Sequence, residues 1–266
     1  MPLAIQHKPV HLFCTDYLIA IFIALGVIIT RLVTLSDSSI HPNMARISLG
    51  TDKKLHDFPR PILAVDTALL TVDHDRRQLL VVEMERQESG KWALPGTFVR
   101  ERETLAAAVE RCLRDKLGVQ GVRPTQLTVF DDPDRDDRDW VVSVAHVAVV
   151  RPGQLQCPAS AAAYATRLVP VDRPGELVWD HPDIVRRAKQ HVRSRYAAHP
   201  DPYRLLGPRF TLGELQRVHE AVAGQRFLRH TFRRAMDPHL VGTGDVQDTG
   251  CRGRPAELFR RRPEGT

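Results

Sequence analysis

The stretch from Leu94-Pro95-Gly96-Thr97-Phe98-Val99 to Gly118-Val119 constrains the fold more than any other part of the chain. Leu105, Val109, Leu113 and Leu117 fall four apart and share one face of a helix predicted over residues 104–117. Gly118 stops that helix in the usual C-terminal manner. Glu103 lies at its start, where the helix dipole favours an acid. Apolar, β-branched runs at 62–72 and 78–84 predict strands joined by the turn 73–77. Two more strands are predicted at 126–130 and 140–150, separated by the charged loop 131–139. Strands gathered around one amphipathic helix predict an α/β sandwich.

The second half of the chain has a different organisation. Residues 151–176 are rich in Pro, Ala and Gly and read mostly as irregular. A helix is predicted over 180–198, with Asp180 as cap, Pro182 in the first turn and His199-Pro200 ending it. Its Arg186, Arg187, Lys189, Arg193 and Arg195 read as a solvated basic face. Residues 201–208 read as a hinge. Thr211, with Glu214 at the capping-box position, begins a helix over 212–223 whose core stripe is Leu212, Leu215, Val218 and Val222. After the turn Gly224-Gln225-Arg226 comes a second helix at 228–236, the helix-turn-helix arrangement. Short strands at 239–241 and 256–260 around a Gly-rich loop complete a predicted winged helix.

Charge supports a nucleic-acid partner for that unit. From Arg204 to Thr266 there are 12 Arg, no Lys and 7 Asp or Glu, which is most of the whole chain's net +6. Arg229, Arg233 and Arg234 fall on the second helix, which would enter the major groove. There they can pair with guanine edges or phosphates. Arg252 and Arg254 lie in the wing, within Arg252-Gly253-Arg254-Pro255, a sequence similar to the cores of minor-groove hooks. Arg260, Arg261 and Arg262 are expected to add phosphate contacts.

Residues 1–43 stand apart by composition. Seven of the ten isoleucines precede Met44. The uncharged run 17–29 spans 13 residues, short of the roughly 20 that a membrane span needs. It also lacks the charge pattern and cleavage site of a signal peptide. The expectation is an over-extended start with Met44 as the natural first residue, the alternatives being an anchor at 17–35 or a partner helix. Cys14, Cys112, Cys157 and Cys251 show no zinc spacing and are expected to be free thiols in the cytoplasm. His56, His74, His146 and His181 form no metal pattern.

Counted from Thr97, the spacing to Glu103, Arg111 and Gly118 resembles the Nudix box, G-x5-E-x7-R-E-U-x-E-E-x-G-U with U apolar. Thr97 replaces the first Gly, and the three later carboxylate positions read Cys112, Asp115 and Lys116. In that family the acids hold Mg2+ against a diphosphate. A thiol, a shortened acid and an ammonium do not supply the oxygen ligands a hard cation requires. The resemblance therefore implies a retained scaffold, no catalytic residue, no metal site and no cofactor. Arg111 is expected to hold the Gly96 loop, and Cys112 to fill apolar space. Arg86, Lys91, Gly96, Arg100 and Lys116 are the expected ligand-binding residues. Lys116 either replaces the metal's charge or is merely an exposed lysine. Trp92 reads as core rather than a stacking platform, and Arg135 and Arg138 as balancing their acidic loop.

A degenerate Nudix box followed by a winged helix resembles the Nudix-related transcriptional regulators. The likeness extends through Phe210–Gln216, Phe232-Arg233-Arg234 and Gly253-Arg254-Pro255-Ala256, and covers roughly residues 58–263. It implies a Nudix-like α/β/α sandwich at 58–200 and a winged helix at 204–263. It also implies a cytoplasmic regulator, expected to be a repressor and a homodimer, that binds a DNA operator and an ADP-ribose-like ligand. The alternative is a divergent Nudix hydrolase using Mg2+ through Glu101, Glu103, Glu110 or Asp115.

Overall fold

The computed structural model describes Lys54 and residues 57–155, 164–247 and 255–263. The readings of residues 1–43, of His56, of Cys14, Cys157 and Cys251, and of Arg252 and Arg254 lie outside the described residues. Among the described residues no helix is long and apolar enough to cross a membrane.

The sheet is built on β1 (Ile62–Asp73), whose residues from Ala64 to Val72 are all buried. Burial on both faces explains its nearly continuous apolar sequence. β1 pairs in parallel with β6 (Val141–Val149) and antiparallel with β2 (Gln78–Glu85) and β4 (Gly96–Phe98). The order runs from β3 (Trp92–Ala93) through β2, β1 and β6 to β5 (Thr125–Phe130). β7 (Thr166–Pro170) adds to β2, with Val82 opposite Leu168. That strand lies inside the stretch expected to be irregular. It is short and ends on a proline, so it has little periodicity to read.

Helix α1 (Leu105–Leu117) packs Val109, Leu113 and Leu117 on one face of the sheet against Val65 and Leu69. Thr104 is its cap, accepting from Ala107 N, and Gly118 closes it at φ 68°. Helix α2 (His181–Ala198) covers the other face with Ile184, Val185, Ala188 and Val192. Asp180 stands at its N-cap but gives no side-chain cap, because its carboxylate is held elsewhere. Two of its cations are not simply solvated. Arg193 and Lys189 both reach Asp172, and Arg193 also donates to Val222 O at 2.9 Å.

The winged helix consists of α3 (Leu212–Ala223), α4 (Arg229–Met236) and a sheet in the order β8 (Phe210–Thr211), β10 (Ala256–Arg261), β9 (Leu240–Gln247). The capping box of Thr211 and Glu214 forms as expected. Leu212 and Leu215 join Phe210, Phe232 and Phe259 in its small core. Further along the same helix, Val218, Ala221 and Val222 enter the core of the larger sheet.

The segment 201–208 is a pinned turn rather than a hinge. Asp201 is fully buried and accepts from Tyr196 Oη at 2.8 Å, Leu205 N at 2.9 Å and Leu206 N at 2.8 Å. It also receives the guanidinium of Arg261. Arg77, in the turn between β1 and β2, binds Glu220 of α3 at 3.0 Å. Beside Asp201, His219 stands edge-on to Tyr196 at 5.0 Å and to Phe232 at 5.1 Å.

Burial lowers His219 from 6.5 to about 4, against the opposing pull of Asp201. Its contribution to stability is complete above pH 6.5, declines as pH falls toward 4, and is then lost. The difference is about 3 kcal/mol. Wild type should lose melting temperature across that window more steeply than His219→Gln. Equal slopes would remove His219 from the account.

Candidate functional site

A cavity of about 280 Å3 lies between β1, β4 and the start of α2, with α1 along one side. Arg111 shapes its rim. The guanidinium grips Glu103 through Nε at 2.7 Å and Nη2 at 2.8 Å, and donates to Thr97 Oγ1 and Phe98 O. This fastens β4 to α1. The hydrogen bonds from Arg111 hold the Glu103 carboxyl down at about 2. The interaction is therefore charged at any physiological pH.

The three altered box positions do not assemble a metal site. Cys112 is 2% exposed, and burial pushes its thiol up to about 11, so it is an apolar filler. Asp115 is half exposed and pairs with Arg114 at 3.0 Å rather than lining the cavity. Lys116 does line it, and its Nζ donates to Gly96 O at 2.6 Å. Glu101, Glu103 and Glu110 do not line it either. Among the described residues no cluster of His, Cys, Asp or Glu has metal-binding geometry. This donor set does not fit Mg2+, because an ammonium stands where a carboxylate would be needed.

Of the expected ligand residues, Arg86, Gly96 and Lys116 face the cavity. Lys91 and Arg100 do not: both are exposed and lie outside its lining. Sequence proximity to the box was a poor guide, because the chain turns away at both positions. The missing residues come from farther along. Arg135 is 3% exposed in its side chain and sits between two carboxylates, binding Asp180 at 2.6 and 2.7 Å and Asp66 at 3.4 Å. It is a buried anchor of the site rather than balance for its loop. Arg138 pairs with Asp136 and reaches over Phe98 at 5.4 Å and Trp179 at 4.7 Å. Arg86 lies over the same Trp179 at 4.6 Å. Trp179 lines the cavity with Phe98 and Tyr164, while Trp92 lies outside it and carries Arg167 over its ring. The one signal for Asp66 was a lone acid inside an otherwise apolar strand.

In the winged helix, Arg229, Arg233 and Arg234 are exposed on α4, as a DNA-reading face requires. Arg229 and Arg233 line a groove with Arg217 and Arg226. Arg261 and Arg262 were expected to meet phosphate, but they are engaged with Asp201 and with Pro238 O and Leu240 O. Arg260 alone of the three is exposed without such a contact.

Removing Arg135 would strand two carboxylates. Arg135→Ala should therefore destabilise the fold by about 3–5 kcal/mol in urea titrations. A change below 1 kcal/mol would mean that Asp66 and Asp180 do not depend on it.

Residues 62–188 match the family model described as NUDIX domain, and residues 202–261 match the NrtR DNA-binding winged helix domain. The chain is 31% identical over 215 residues to the ADPR responsive transcriptional repressor NtrR of Acinetobacter baylyi, covering 77% of this chain and 83% of that protein. It is 30% identical over 134 residues to an ADP-ribose pyrophosphatase of Methanocaldococcus jannaschii, covering 50% of this chain and 76% of that one. The crystal structure of Shewanella oneidensis NrtR with a 27mer DNA aligns at TM-score 0.62 and 30% identity, over 76% of this chain and 94% of that one.

Proposed function

The chain belongs to the NrtR family of Nudix-related transcriptional regulators, and on that premise we propose that it is a cytoplasmic repressor releasing or holding its operator in response to ADP-ribose or a related NAD-derived nucleotide diphosphate. The observation that carries this reading is Lys116. Its ammonium occupies the metal side of the box, inside the cavity and anchored on Gly96 O. A fixed positive charge there supports binding of a diphosphate without a divalent cation. The same substitution argues against hydrolysis, since an ammonium stands where the box would place a carboxylate and, among the described residues, no cluster of acids stands elsewhere.

The ligand acts by linkage: it shifts DNA occupancy only as far as it binds the free and DNA-bound forms unequally. α4 is the reading helix, with Arg229, Arg233 and Arg234 toward the groove. A symmetric dimer placing two such helices on half-sites about one turn apart is the arrangement that winged readers of this kind need.

Incubation of the full chain with ADP-ribose and Mg2+ separates sensor from enzyme. At a hundredfold excess over Kd a sensor gains about 2.7 kcal/mol of stability and releases no AMP. Rapid AMP release would make the chain a hydrolase like the Methanocaldococcus relative. Lys116→Ala should weaken ADP-ribose about tenfold or more, the worth of a charged hydrogen bond. Unchanged affinity would leave it a structural tie to Gly96 O. In gel-shift titrations Arg233→Ala with Arg234→Ala should weaken operator binding about tenfold or more and flatten its salt dependence. Retained affinity would move the reading face elsewhere.

A further inference from the structure

The groove of the winged helix takes in a residue from outside that domain. Arg217, Arg226, Arg229 and Arg233 line it from α3, the turn and α4, and Arg77 joins them from the β1–β2 turn of the NUDIX domain. Three acids stand in the same groove, Glu220, Asp245 and Glu257, and two of them are engaged within the protein. Asp245 holds Arg209 at 3.0 Å. Glu220 accepts from Gln216 Nε2 at 2.9 Å and Phe227 N at 3.0 Å through Oε1, and from Arg77 Nη1 at 3.0 Å through Oε2. Glu257 is exposed on β10, and Arg217, Arg226, Arg229 and Arg233 are exposed as well.

Arg77 is an unusual residue for its position. Its φ is 55°, a left-handed backbone that glycine or asparagine adopts more easily than arginine. Asp73 Oδ1 steadies the turn ahead of it by accepting from Asp75 N and Arg76 N. Backbone strain of this kind gathers at functional positions. The ion pair with Glu220 uses only Nη1, and Nε and Nη2 donate to nothing among the described residues. The side chain is 33% exposed. In a helix-turn-helix the first helix crosses the phosphate backbone while the second lies in the major groove. Arg77 is tied to the first of these, α3, through the carboxylate that also holds Phe227 N just ahead of α4. We propose that Arg77 is a DNA phosphate contact, carried into the groove by the NUDIX domain, so that both domains hold the duplex. Glu220 aims the guanidinium, and the N–H groups on Nε and Nη2 donate to a phosphate oxygen. Such a contact adds affinity and fixes register without reading sequence.

This contact rests on the DNA-binding reading above, and titration of the full chain against a random-sequence duplex over a range of salt separates the two. Arg77→Gln should weaken binding about threefold or more at low salt and lower the slope of log affinity against log salt by about 1, the share of one phosphate. Arg77→Lys keeps the charge and should keep the wild-type slope. Glu220→Gln breaks the ion pair, leaves an acceptor for Phe227 N, and should keep that slope too. Arg77→Gly, which suits the left-handed backbone, serves if the Gln variant does not fold. A wild-type slope in Arg77→Gln, or an equal loss of slope in Glu220→Gln, would overturn the contact and leave Arg77 a tie between domains. The reading of α4 would then stand if Arg233→Ala with Arg234→Ala still flattened the slope. Wild type that does not bind the duplex at low salt would overturn both.

Discussion

One helix belongs to two cores, and the rest of the molecule is arranged around that fact. α3 gives Leu212 and Leu215 to the small core of the winged helix and Val218, Ala221 and Val222 to the core of the large sheet. Neither unit can bury its apolar surface fully without this helix. The junction is then fastened by polar groups that could not be buried alone. Asp201 collects a tyrosine hydroxyl, two backbone amides and the Arg261 guanidinium, and Glu220 collects Arg77 from the opposite unit. A buried carboxylate is stable only when so satisfied.

The NUDIX domain keeps the frame of the box while its charged positions differ. Arg111 and Glu103 still lock the loop to the box helix, as a frame must whatever occupies it. Cys112 has become part of the core, and Lys116 has become a cation facing the cavity. What remains is a cavity lined by Arg86, Lys116, Arg135 and Arg138 together with Asp66, Glu85, Glu88 and Asp136.

The box helix and the capped α3 could be read directly, because 3.6-residue periodicity and cap chemistry are local properties of sequence. Strands β1 and β6 were equally legible through length and continuous apolarity. β7 was not, since five edge residues ending in proline carry no period. Lys91 and Arg100 lie outside the cavity for a related reason: closeness to a motif along the chain says nothing about which way a loop turns. Asp180 was placed correctly at the head of α2, but its carboxylate had another partner 45 positions away. The same long-range pairing concealed the role of Arg135.

The sequence by itself determined the two architectures, the loss of the metal-binding acids and the basic face of α4, because each depends on residue type and spacing within one element. Tertiary structure alone decided that 201–208 is a joint rather than a hinge and that Arg261 and Arg262 are structural. It also brought Asp66, Arg135 and His181 into one site from three separate segments. The physical reason is that a buried charge takes its meaning from its partners, and those are chosen by the fold.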